Sequence, residues 1–141
     1  RMFILDTNVI SEMGKPKPSE MVIRWVATSN PSELFLSDIT LMELAYGAEK
    51  HLLKHGSNKY HVSLDALVRN QFRDRIIDCS QSASLTAGYV RARREMAGRI
   101  ITVQDAMIAA ICLSHGATLA TRNIRDFEGL DIALVNPFEE R

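Results

Sequence analysis

At 141 residues, with 46% hydrophobic and 24% charged positions and only four prolines, the chain has the composition of one folded globular domain, which excludes a disordered or fibrous protein. Lysine plus arginine balances aspartate plus glutamate at 17 each, so no global basic field marks it as a nucleic-acid binder and any such contact must be local. Two cysteines, Cys79 and Cys112, are too few for a disulfide framework, and no apolar run approaches the roughly 18 to 20 residues of a membrane span, so a cytoplasmic protein is expected. The chain opens Arg1-Met2, and Met2 is read as a natural start.

The elements follow in order. Residues 2 to 5 (Met-Phe-Ile-Leu) form a short apolar run suited to a buried strand that turns into a loop at Asp6. Pro16 and Pro18 mark a break. Apolar positions 21, 22, 25 and 26 predict an amphipathic helix over 19–29, ended by Asn30-Pro31. A strand at 34–36 leads to a helix over about 38–54, with Leu41, Leu44, Ala45, Ala48 and Leu52 on one stripe and Gly56 closing it. A helix over 58–73, a strand over 75–78, a Ser80-capped helix to Ala97 and a helix over 103–115 come next. Strands at 117–120 and 132–135 finish the chain. Short apolar strands alternating with helices predict an α/β fold, a mostly parallel sheet flanked by helices, in one domain over 1–141.

In such sheets, ligands bind outside the carboxyl ends of the strands. Asp6, Glu43 and Asp105 all fall at strand ends or early in the helices that follow, so three acids can converge on one cleft. The plainer reading is capping: Thr40-x-x-Glu43 and Thr102-x-x-Asp105 each fit a capping box, and Asp6 fits a cap or turn. Spacing alone leaves both readings open.

The motifs taken together are more specific. Leu5-Asp6-Thr7-Asn8, Thr40-x-x-Glu43-Leu44, Gln104-Asp105-Ala106-x-Ile108-Ala109-Ala110, Ala120-Thr121-Arg122-Asn123 with Asp126-Phe127, and the closing Val135-Asn136-Pro137-Phe138 occur in that order over nearly the whole chain. This resembles the PIN-domain ribonucleases, and within them the VapC and FitB-like toxins of type II toxin–antitoxin systems. The resemblance implies an endoribonuclease that cleaves RNA by metal-activated water, with Mg²⁺, or alternatively Mn²⁺, as cofactor. It implies a cognate antitoxin and a homodimer as partners and a transfer RNA or other translation-related RNA as substrate. Asp6 and Asp105 match metal ligands, and Glu43 an acid that supports the metal or positions water. Thr7 and Asn8 match groups that orient Asp6, with Thr121 in the same supporting set.

Where many members carry a fourth acid, this chain has Asn123. Asp126 is the nearest replacement on the same loop; its position relative to the preceding strand favours Asn123, as a neutral ligand. Arg122 is the best RNA-contact candidate, while Arg91, Arg93, Arg94 and Arg99 fit a solvated helix face better. His51 and His55, at i, i+4 spacing without a third ligand, are read as surface histidines. Trp25, Phe72 and Tyr89 are assigned to core or subunit packing. Two competitors remain. A haloacid-dehalogenase-type phosphatase needs an aspartate two residues after the first and finds Asn8; a catalytically weak PIN module acting by RNA or protein binding is left open by Asn123.

Overall fold

A computed structural model describes residues 1–139. Five strands, β1 (Phe3–Leu5), β2 (Leu34–Ser37), β3 (Ile76–Ile77), β4 (Thr118–Ala120) and β5 (Ala133–Val135), form one sheet in the order β3-β2-β1-β4-β5. Every strand pair is parallel, with Ile4 opposite Phe35 on one side and Leu119 on the other. All residues of β1 and β4 are buried, as expected of central strands covered on both faces.

The helices are α1 (Thr7–Met13), α2 (Glu20–Ala27), α3 (Asp38–His55), α4 (Lys59–Ala66), α5 (Gln81–Met96), α6 (Val103–His115) and α7 (Ile124–Phe127). One apolar layer joins Ile4 and Leu119 to the Ala-rich faces of α5 and α6, including Ala87, Val90, Ala106, Ile108 and Ile111. The other joins Phe3, Leu5 and Leu36 to Trp25 and Phe72. Phe3 and Trp25 meet edge to face, with centroids 5.3 Å apart.

The strand order places the site. The chain builds outward from β1 through β2 to β3 and then crosses back through α5 and α6 to start β4 on the other side of β1. The direction of winding therefore reverses between β1 and β4, and at such a reversal open parallel sheets leave a crevice beyond the carboxyl ends of their strands.

Four local features differ from the sequence reading. The residues after Asp6 form α1, a seven-residue helix too short to show a clear period, and Asp6 is its N-cap. The helix over 58–73 stops at Ala66 and widens into a π-type turn, Leu67–Gln71, closed by the Phe72 N–H donating to the Leu67 carbonyl at 2.9 Å. A 3₁₀ turn, Pro31–Glu33, precedes β2. Tyr89 is 58% exposed, so of its two readings core packing falls and subunit packing is left; α5 buries its alanine face instead.

Candidate metal centre at the β1–β4 crevice

Asp6 stands at the mouth of the crevice. Its backbone N–H donates to the Ala120 carbonyl at 2.9 Å, which ties the end of β1 to the end of β4. Its side chain is 6% exposed and fully engaged. Oδ1 accepts from the Thr7 N–H at 2.8 Å, and Oδ2 accepts from the Thr121 hydroxyl at 2.8 Å and from Asn8 Nδ2 at 3.3 Å. Burial raises the Asp6 carboxyl above the ordinary carboxylate range, those three hydrogen bonds pull it back, and the charge of Asp126 raises it again.

Thr121 and Asn8 hold this corner together. Thr121 is fully buried, its N–H donates to the Val135 carbonyl at 2.9 Å, and its Oγ1 accepts from the Asn123 N–H at 3.0 Å. Asn8 turns its Oδ1 toward the Arg122 N–H at 3.2 Å while Nδ2 faces Asp6 and, at 3.4 Å, Thr121. One asparagine therefore bridges the first turn of α1 to the loop after β4.

Glu43 is half-buried and joined to Asp6 through α1: Thr7 Oγ1 donates to Glu43 Oε1 at 3.0 Å and stands 3.1 Å from the Thr40 hydroxyl. The capping-box reading of Thr40 and Glu43 fails, because Ser37 is the N-cap of α3 and accepts from the Thr40 N–H at 3.2 Å. That leaves Glu43 six residues beyond the cap, in the second turn, with its carboxylate held by Thr7. Burial and the Asp6 charge raise its pKa, against the Thr7 hydrogen bond.

Asp105 keeps its cap environment, since Thr102 caps α6 by accepting from the Asp105 N–H at 3.1 Å. Its carboxyl nevertheless belongs to the acid group. Burial first, then the charges of Asp6, Asp126 and Glu43, push it up to about 6. Asp126 is exposed, and its charge bears on both Asp6 and Asp105. Asn123 is exposed at the start of α7, and its side chain makes no capping bond there.

Asp105 thus feels the charges of three other acids, Asp6, Asp126 and Glu43, and among the described residues none of the four is in an ion pair. A carboxylate set lacking its counter-charge suits a hard divalent cation. Among the described residues, no three Asp, Glu, His or Cys side chains converge closely enough to enclose an ion alone. The donor set therefore fits an ion held by one or two carboxylates that keeps water and shares substrate oxygens, the habit of Mg²⁺.

The remaining candidates sort by position. The Arg122 guanidinium lies 3.9 Å from the Phe138 ring centroid, stacked and exposed beside the crevice. Arg94 leaves the solvated-face group altogether: it is 8% exposed and bonds inward. His51 and His55 stack on each other 4.8 Å apart, against Tyr60, far from any acid trio. Cys112 is buried with its thiol pushed up to about 12 by burial and then by Asp6, so it is inert. Thr40, read in the sequence as a cap, instead completes the Thr7–Glu43 contact. One residue went unremarked in the sequence: Glu12, buried in α1, accepts from the Ser19 N–H at 2.8 Å and pairs with Lys15 at 2.9 Å.

A parallel sheet with an acid group at its winding reversal defines a class, and residues 3–132 match the PIN domain family: the chain belongs to it. Within that family it is 32% identical to Toxin FitB of Neisseria gonorrhoeae over 139 residues, covering 99% of this chain and all of that protein. It is 33% identical to the tRNA(fMet)-specific endonuclease VapC of Shigella flexneri over 126 residues, 89% of each chain. Among solved structures, FitAB bound to an IR36 DNA fragment superposes with a TM-score of 0.87 at 30% identity, covering 99% of this chain and 98% of that one. DNA-bound VapBC from Salmonella typhimurium gives 0.77 at 31% identity, covering 96% and 98%.

Proposed function

We propose that this chain, as a single PIN domain over 1–141, is an Mg²⁺-dependent endoribonuclease acting in the cytoplasm as the toxin of a toxin–antitoxin pair. The observation that carries this reading is the meeting of acids from three separate elements, Asp6 held by Thr121, Glu43 held by Thr7, and Asp105, which burial first and then the charges of Asp6, Asp126 and Glu43 push up to about 6. Asp6 and Asp105 would hold the ion, with Mn²⁺ as a substitute. Bound there, the ion supplies Lewis-acid activation of water and neutralises charge on the phosphate. The chain's own groups do the rest. Thr121, Thr7 and Asn8 fix the Asp6 carboxylate, so it meets a ligand without reorganising. Glu43, held by Thr7, accepts a proton or orients the attacking water. Arg122, propped on Phe138, receives a phosphate oxygen.

Asp126 takes the fourth acidic position in this reading, in place of Asn123. Its charge reaches Asp6 and Asp105 from the loop after β4, whereas Asn123 contributes its backbone N–H to Thr121.

The partner is an antitoxin chain. The relatives named FitAB and VapBC are two-component assemblies, and a further neighbour is a toxin–antitoxin complex from Klebsiella pneumoniae. In α3, Leu41 and Leu44 pack toward the core, while Met42, Tyr46 and Leu53 are 49, 65 and 78% exposed. That leaves apolar surface for an antitoxin segment or for a second copy in a homodimer. A transfer RNA is the favoured substrate class, because one relative is a tRNA(fMet)-specific endonuclease.

The test is cleavage of RNA by purified protein with Mg²⁺ or Mn²⁺, against Asp6→Asn and a chelated control. Metal-dependent cleavage lost in Asp6→Asn supports the reading. RNA binding without cleavage would replace it with a binding module. Overproduction without an antitoxin should arrest growth, and harmless overproduction would remove the toxin role.

A further inference from the structure

The least expected side chain is Arg94. Helix α5 and its exit carry Arg91, Arg93, Arg94 and Arg99, and only Arg94 is buried. It has no carboxylate partner within ion-pair distance among the described residues. Its Nη2 instead donates to two backbone carbonyls, Asp126 at 3.1 Å and Glu128 at 2.7 Å. Those carbonyls are at the carboxyl end of α7, where a helix leaves acceptors unfilled and favours a cation. A helix of four residues cannot hold itself together in water, so α7 depends on whatever closes its end. The neighbouring Gly129 has a φ of 82°, a conformation open to glycine, and the Arg99 side chain lies alongside it in ordinary contact.

We propose that Arg94 is a positioning residue that caps α7 through two backbone carbonyls and thereby sets Asp126 against Asp6 and Asp105. The proposal rests on the reading of Asp126 as the fourth acid. One nitrogen satisfies two carbonyls two residues apart through its two N–H bonds, whose directions the planar guanidinium fixes, whereas the rotating ammonium of lysine offers donors without that fixed pair of directions. Arg94 touches neither RNA nor ion; it acts only through the loop it holds.

The experiment measures Mn²⁺ affinity by calorimetry, and RNA cleavage, for Asp126→Asn, Arg94→Met, Arg94→Lys and the Arg94→Met/Asp126→Asn double variant, with melting temperatures as a folding control. If Arg94 acts through Asp126, Arg94→Met weakens Mn²⁺ binding about tenfold, similar to Asp126→Asn. The double variant then binds no more weakly than Asp126→Asn alone, and Arg94→Lys recovers part of the loss. Arg94→Met that melts early yet binds Mn²⁺ like the unaltered protein overturns the proposal, as does a double variant in which the two losses multiply. If Arg94→Met fails to fold, Arg94→Lys decides: Mn²⁺ affinity unchanged in that variant overturns the proposal. Unchanged Mn²⁺ affinity in Asp126→Asn, with affinity lost in Asp6→Asn, fails differently. It removes Asp126 from the site and takes the Arg94 proposal with it.

Discussion

The chain leaves β1 and β4 side by side, yet the two exits are held in different ways. After β1 the carboxylate comes at once: Asp6 is the first residue past the strand, caps α1, and has its oxygens filled by Thr7, Asn8 and Thr121. After β4 the acid comes six residues later, on a four-residue helix, exposed, with Arg94 as its tether. One half of the crevice is pinned by side chains bonding to the carboxylate itself. The other is hung from backbone bonds behind the acid. A pinned ligand is preorganised and tolerates little change, whereas a tethered one can adjust to substrate and should tolerate more.

The sharpest way to break the comparison is to remove the pinned acid or its neighbour at the start of α6. Asp6→Asn or Asp105→Asn should reduce metal-dependent cleavage by about a thousandfold or more, read in a single-turnover assay. Their stabilities should diverge. Asp105→Asn removes a charge that is costly to bury and that its acidic neighbours repel, and should stabilise the metal-free protein at pH 7 by about 1 to 2 kcal/mol, a figure that discounts the shift to about 6 for partial exposure. Asp6→Asn gains less, because an amide at that site sets a donor against Asn8 Nδ2 and should offset the relief by about 1 kcal/mol. Denaturant midpoints without metal check both.

Solution pH probes the same acids. Asp105 keeps its proton up to about 6 when folded, against 3.8 ordinarily, so the folded state binds more protons between those values. Metal-free stability should therefore fall as pH rises from about 4 to 6, and the slope should lessen in Asp105→Asn, the raised Asp6 and Glu43 carboxyls keeping the remainder. Metal binding has the opposite sign: it needs the charged carboxylate, so Mn²⁺ affinity should drop as pH falls through about 6. Calorimetry over that range reads both trends.

Thr121→Val keeps shape and deletes the donor to Asp6 Oδ2. It should cost about 1 kcal/mol of stability and weaken Mn²⁺ binding about tenfold, because Asp6 loses its shortest side-chain partner. On the tethered side, Asn123→Asp is the mildest change. A new carboxylate two residues from Thr121 should move Mn²⁺ affinity by about threefold or less if Asp126 already supplies the charge. A gain of about a hundredfold would instead make Asn123 the fourth position and reverse that part of the site.

Much of this was legible before any coordinates. The apolar runs around Ile4 and Leu119 are uninterrupted because central parallel strands are buried on both faces, so their hydrophobic content announces them. Asp6 was visible as the acid that ends such a run, and Asp105 as an acid beside a cap. Glu43 read equally well as a capping residue. The helix start near 38 already stood against a cap at Thr40, and Ser37 accepting from the Thr40 N–H settles it, since three residues decide which side chain sits at the cap. Helix α1 was hidden for a related reason: seven residues hold two turns, too few for a period to show against Pro16 and Pro18.

By itself, then, the amino-acid order determined the layers, the alternation of strand and helix, and the chemical type of the site, because burial and oxygen-donor chemistry are written residue by residue. Tertiary structure decided which acids meet. The β3-β2-β1-β4-β5 order put the Asp6 and Thr121 corners side by side across 115 positions of chain, and the folding of α5 against the α7 loop turned one arginine of four inward to Asp126. Those outcomes depend on contacts between residues remote in sequence. Local pattern carries no record of such contacts, since each partner looks the same whether or not the other arrives.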